Sequence, residues 1–294
     1  MVGLVANSTA VLRGLVVTIV LLIVAIVLAN LLGGGLAFLG LVLWIEILGA
    51  IALGVWLILR AKQLYSGAGA VVIAASIGTA FFVPSQPIGW LLWTILFFIG
   101  VGLIVWGTRS DTVRPGAWVL LLPRVIVGWA LVDNAQDHFW TNWLPGGGGF
   151  LQIATQASSR QPLWFLDPLY QGFLRGVVVP GADIWAALTI CGELSFGLLL
   201  AIGLFGQIGA LGAMWQNGNY MLMKGFIAHG AYTDKTFFAV ELFCLLTLAS
   251  LAFGLDASLR QHLPSRLPKW LAEALMGTPG EQPGAVGRAA PEPA

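Results

Sequence analysis

Charge is what this sequence has least of. Asp, Glu, Lys and Arg make up 9% of 294 residues, where a soluble domain carries about a quarter. So few ionised side chains cannot cover a water-facing surface of this size, which excludes an ordinary soluble fold. The net charge of +1 and the lack of any Lys/Arg block leave nothing to neutralise a run of phosphates, which excludes nucleic acid as a partner. Cysteine is equally scarce. Cys191 and Cys244 both sit in apolar runs and form no CxxC, so neither a zinc site nor a disulfide framework is indicated, and both read as inert buried thiols. The chain has no GxxxxGK[ST] phosphate loop, HExxH, CxxCH or GxSxG, the signatures of several common chemistries.

What is abundant is apolar surface. Hydrophobic residues make up 58% of the chain and the mean hydropathy is +0.89. A bilayer core of about 30 Å needs about 20 mostly apolar residues per helix. Cutting the chain at Gly, Pro and charge clusters yields eight such pieces: 14–33, 37–59, 67–84, 88–107, 117–139, 183–205, 207–226 and 236–256. The runs are too long and continuous for the strands of a transmembrane barrel. The hydrophobic run after MVGLVANSTAVLRG outlasts a signal-peptide core and reads as a retained first span. The expected fold is therefore an all-α integral membrane protein with eight transmembrane helices.

With the N-terminus inside, Arg13, Arg60, Lys62, Arg109, Arg114, Arg124, Arg260, Arg266, Lys269 and Arg288 fall on the inner side. Only Arg160, Arg175, Lys224 and Lys235 fall outside. This asymmetry follows the positive-inside rule and predicts a multi-pass protein of a prokaryotic cytoplasmic membrane with both termini cytoplasmic. On this topology His138, His229 and His262 are split between the two faces, which argues against paired haem ligation, and neither a bound haem nor a metal is expected.

The long loop 140–182 lies outside. Phe150, Ile153 and Ala154, then Leu169, Phe173 and Leu174, recur at helical spacing, which predicts two short amphipathic helices roofing the bundle mouth. Trp140, Trp143, Trp164 and Tyr170 would lie at headgroup level. Residues 261–276 read as a short interfacial helix with Trp270, Leu271 and Leu275 toward lipid. The Pro-, Gly- and Ala-rich tail 277–294 lacks a periodic apolar face and reads as disordered.

The halves share a pattern. Arg13 begins a span and Glu46 lies in the next; Arg124 and Glu193 repeat this, with the outer loop lengthening the second interval. The chain therefore reads as two tandem four-helix units, 1–110 and 111–260, in a parallel repeat. The second unit, about 117–260, resembles the DoxX/DoxD family. The resemblance is carried by Arg124 with Gly128 four residues on, the polar cluster at the outer end of that helix, and GELSFGLLLAIGL. The loop segment PLWFLDPLYQGFL is similar to that of DoxD-type small subunits of thiosulfate:quinone oxidoreductases. Many members carry a Lys where this chain has Asp137 and His138. The resemblance implies a membrane subunit linking a mobile quinone to oxidation of a small sulfur compound such as thiosulfate, or of a redox partner, with a partner subunit or a second copy of the chain.

Ionisable groups inside a bilayer are costly unless paired or hydrated, so their placement marks candidate sites. Asp133 and Asp137 lie four apart on one helix face, with Asn134, Gln136 and His138 around them. Glu193 and Glu241 enter from the outer ends of their spans, and Trp215, Asn217, Asn219 and Tyr220 lie on the outward half of the seventh. All converge on one level, with Lys224 and His229 nearby. The candidate catalytic residues are Glu193, Asp137 and His138, exchanging protons with a quinone. The candidate binding residues are Asp133, Asn217, Asn219, Trp215, Tyr220 and Arg175. The plainer alternative is that Glu193 ties helices together while Asp137 and His138 sit in headgroup water. Glu241 and Glu46 read as structural, Arg124 as snorkelling to lipid phosphate, and Gly128, Gly192, Gly197, Gly203, Gly209 and Gly212 as close helix packing. Two other functions fit the composition: a non-catalytic component organising a larger complex, and a small-solute transporter.

Overall fold

A computed structural model describes residues 7–83, 85–110, 117–262 and 268–277. Residues 1–6, Arg114, Arg266, Arg288 and the tail 278–294 lie outside the described residues, as do the side chains of His229 and His262. Among the described residues there is no strand.

Among the described residues there are twelve α-helices: α1 (Ser8–Leu31), α2 (Gly35–Leu59), α3 (Leu64–Phe82), α4 (Trp90–Thr108), α5 (Trp118–Trp140), α6 (Gly148–Ser159), α7 (Asp167–Phe173), α8 (Ala182–Ile202), α9 (Gly206–Lys224), α10 (Tyr232–Thr247), α11 (Leu255–His262) and α12 (Lys269–Met276). Six of them, α1 to α5 and α8, are long and apolar enough to cross a membrane. The first starts earlier than its hydropathy suggests because the Asn7 side chain accepts from the amide of Thr9 at 2.9 Å, capping the helix. In α1 the buried residues Ala10, Gly14 and Thr18 recur every four positions. They form a stripe of small side chains, while Leu12, Val16, Ile19 and Ile23 stand exposed on the other faces, as a lipid-facing helix requires.

Three helix crossings are built on glycine pairs. A Cβ on Gly54 would lie 2.6 Å from the Gly67 carbonyl oxygen (α2 on α3), one on Gly69 2.6 Å from that of Gly100 (α3 on α4), and one on Gly128 2.6 Å from that of Gly197 (α5 on α8). Backbones meet directly at these points, the arrangement that lets helices associate where lipid supplies no hydrophobic drive. The α8 helix is central, packing against α2, α5 and α9, while α1 lies mainly against α12 and α9.

The seventh and eighth predicted spans come out differently. The α9 helix has 19 residues and carries Gln207, Gln216, Asn217, Asn219 and Lys224. The α10 helix has 16 residues, about 24 Å of rise, and stops at Thr247 rather than continuing to 256. Leu248 and Phe253 take positive φ around the short 3-10 turn Ala249–Leu251. This break serves two polar groups. It carries the Phe253 carbonyl to within 3.5 Å of an Arg124 Nη. It also brings the Asp256 carboxylate to the start of α9, where it accepts from the amides of Phe205 at 2.7 Å and Gly206 at 2.9 Å. Arg124 is thus fully buried between Gly203 and Gly254, and the expectation that it snorkels to lipid phosphate is corrected.

The interfacial helix is also modified. Within it, α12 docks on α1 and α9. Arg13 pairs with Glu273, and the Gln207 amide donates to the carbonyls of Ala10 at 2.5 Å and Ala274 at 2.9 Å. Trp270 is exposed as predicted, but Leu275 packs on the protein core. Cys191 and Cys244 are free and buried.

Candidate functional site

The loop between α5 and α8 folds as the two short helices predicted for it, α6 and α7, the latter continuing through a wide π turn over Leu174–Val178. Phe150, Ala154 and Leu174 face inward; Ile153 and Leu169 do not. One ion pair holds this roof down. Arg160 donates to Asp167 at 2.7 Å, and the same carboxylate oxygen accepts from the amides of Leu163 and Trp164. The guanidinium also reaches the carbonyls of Leu222 at 3.1 Å and Met223 at 3.2 Å, in the last turn of α9. The Arg160 hydrogen bond holds the Asp167 carboxyl at about 2, below the usual carboxylate range. Asp183, at the start of α8, joins the amides of Gly35 at 2.5 Å and Gly146 at 2.8 Å, tying the start of α2 to the outer loop.

Beneath the roof, three helices bring three polar side chains together. Glu193 on α8 is completely buried. Its Oε1 accepts from the Tyr220 hydroxyl on α9 at 2.6 Å, and its Oε2 lies 2.9 Å from Nδ1 of His138 on α5. The His138 ring stacks on Trp143 with centroids 3.7 Å apart. This fixes its plane, while 18% of its side chain stays exposed. A buried carboxylate is thereby joined on one side to a phenol and on the other to a part-exposed imidazole.

Tyr220 also lines a chamber of about 90 Å³ with Gln216, Asn219, Thr189, Trp185 and Tyr170. Gln216 is held against Gly192, where any Cβ would lie 2.0 Å from its amide nitrogen. The chamber shares Leu22, Tyr170, Phe173, Trp215 and Asn219 with an apolar groove of about 660 Å³ between α1 and α9. The Tyr170 hydroxyl donates to the Asn219 side chain at 3.1 Å, and burial pushes its phenol up.

The predicted single cluster is therefore divided. Glu193, His138 and Tyr220 meet; Asn219 and Trp215 lie along the chamber and groove. Asn217 turns away to donate to the buried Glu241 at 2.6 Å, tying α9 to α10. Asp133 accepts from the Trp90 indole at 2.7 Å, tying α5 to α4. Asp137 and Arg175 are exposed, neither bonded to Glu193. Lys224 pairs with Asp234 at 2.8 Å. Sequence reasoning passed over Gln216, although it precedes Tyr220 by four residues and so shares its helix face. It also placed Trp143 only at headgroup level, because the stacking depends on a loop conformation that periodicity does not encode. Among the described residues no group of His, Cys, Asp and Glu has metal-site geometry.

Comparison with known proteins adds no relative: no family model, no curated protein and no solved structure matches the chain.

Proposed function

We propose that this chain is a DoxX/DoxD-like membrane subunit that binds a quinone beneath the outer roof. It would cross the membrane eight times, as two tandem four-helix units, with both termini inside. The observation that carries the functional reading is the hydrogen-bonded series Tyr220–Glu193–His138, which starts in an aromatic-lined chamber and ends at a part-exposed imidazole. Ligand sites commonly combine such apolar walls with a few convergent polar groups. The chamber admits the edge of a quinone ring, with a carbonyl oxygen toward Tyr220 or Gln216, and the connected groove suits an isoprenoid tail.

Reduction of a quinone to a quinol takes two electrons and two protons. In the proposed route protons enter at His138, pass to Glu193 and reach the quinone oxygen through the Tyr220 hydroxyl. The electrons come from a sulfur compound or redox partner at the outer face. With thiosulfate, two anions join through a new S–S bond to form tetrathionate, and their two electrons with two protons make one quinol. Exposed Arg175 on the outer loop supplies a positive charge for such an anion. A partner subunit, or a second copy of this chain, would complete the assembly.

Binding is testable on the purified protein in detergent by titrating a short-chain ubiquinone and reading tryptophan quenching. Tyr220→Phe and Gln216→Leu should each weaken binding at least tenfold, while the exposed Asp137→Asn leaves it unchanged. Equal affinity in all variants would remove the chamber as the quinone site and favour the reading of a non-catalytic component that organises a complex.

A further inference from the structure

A second cavity lies on the other side of α8. Its volume is about 420 Å³ and its walls come from α2, α3 and α8, with Leu204 and Phe205 before α9 and Leu259 of α11. That is within the range of small-molecule sites. It is separate from the quinone chamber, because Ser195 and Glu193 lie two residues apart on α8 and so point to nearly opposite faces.

The lining is apolar except for Glu46, in the middle of α2. Ser195 of α8 is the neighbouring hydroxyl that acts on Glu46, and Cys191 is the other titratable group in electrostatic contact with it. The lining residues from α3, from the α9 approach and from α11 carry no ionisable side chain, and no basic residue lines the cavity. A half-buried carboxyl in the middle of an apolar helix, among walls that offer it no basic partner, is held at a cost unless something pairs with it. The cavity leaves room for that partner. A Cβ on Gly49, one turn from Glu46, would meet nothing within 4 Å. Ile45 at the rim is 59% exposed, so access is from the apolar surroundings of the bundle.

We propose that this cavity binds a lipophilic cation, an apolar body carrying one permanent or protonated positive centre, with Glu46 as its counter-ion. The walls Ile73, Ile77, Leu198 and Trp56 cover the body, and the carboxylate faces the charge. Where the carboxyl carries a proton, binding releases it, so one proton leaves for each cation taken up. A neutral lipid could fill the same space but would leave the carboxylate unpaired, and charge complementarity therefore selects the cation.

The test is titration of the full-length protein in detergent with tetraphenylphosphonium and with triphenylphosphine oxide, an uncharged probe with a similar aromatic body. The expected result is saturable phosphonium binding at least tenfold tighter than binding of the oxide. Glu46→Gln should weaken phosphonium binding at least tenfold and erase the preference. Gly49→Leu, which keeps the charge and fills the space, should weaken both probes. Equal binding of the two probes by the wild-type protein, or tighter binding of the neutral one, would overturn the proposal. So would undiminished phosphonium binding in either variant. Because Gly49→Leu leaves Glu46 in place, the proposal stays testable if Glu46→Gln fails to fold.

Discussion

Asp167 shows how one residue fixes the loop between α5 and α8. Its buried carboxylate gathers the Arg160 guanidinium and two backbone amides, and through Arg160 it anchors the roof to the end of α9. Because its folded pKa of about 2 lies below the unfolded value of about 3.9, the unfolded chain binds more protons between these values. The stabilisation is therefore complete above about pH 4 and is lost as pH falls toward 2. Thermal unfolding of the wild-type protein should show this acid-dependent loss, and Asp167→Asn should lack it, being destabilised already at pH 6. Removing one partner of such a buried pair costs about 3–5 kcal/mol. A wild-type-like melting temperature for Asp167→Asn at pH 6 would show that the roof is held by other contacts. Glu193, His138 and Tyr220, all candidates from sequence, lie in hydrogen-bond contact, because an ionisable group in a bilayer needs partners and these were the polar groups at its level. Asp137 stands apart and exposed, because a helix of 100° per residue turns it away from Glu193 once His138 faces it.

Helix crossings set the distances on which the site depends. His138 and Glu193 stand on α5 and α8, which touch at Gly128 and Gly197. A methyl at Gly128 would lie 2.6 Å from the Gly197 carbonyl oxygen and 2.7 Å from both the Ala201 amide nitrogen and its Cβ, and backbone cannot step aside. Gly128→Ala should therefore cost about 1–3 kcal/mol and slow quinone reduction by prising His138 from Glu193. Parallel measurement of melting temperature and turnover checks this; if both stay unchanged, the crossing is looser than described. Long apolar helices were legible because length and continuity alone identify them, and the roof helices because their periodicity is plain. The end of α10 was not. Hydropathy runs on past Thr247, and the break follows from tertiary demands: a carbonyl for Arg124 and a carboxylate for the start of α9. Likewise, α12 was read as a surface helix because its docking on α1 depends on Gln207 and Arg13, far away in the chain.

At the scale of the whole molecule, apolar helices surround a small polar interior. Six of them are long and apolar enough to cross a membrane, and α9 is different in kind. It carries the side chains that meet Glu193, Glu241 and the loop between α5 and α8, so its polarity is taken up by protein rather than lipid. Sequence alone located the polar interior in the second half of the chain. The two cavities on opposite sides of α8 could not be read from it, since a cavity is a property of packing and not of composition. The central claim is that Glu193 passes protons to a quinone. It is tested most directly by thiosulfate-dependent quinone reduction, with the protein reconstituted in liposomes with any co-purifying subunits, comparing the wild-type chain with Glu193→Gln. Loss of a positioned proton carrier costs about 10²- to 10⁴-fold. The account predicts a fall of at least a hundredfold with quinone still bound; an undiminished rate in Glu193→Gln would contradict it.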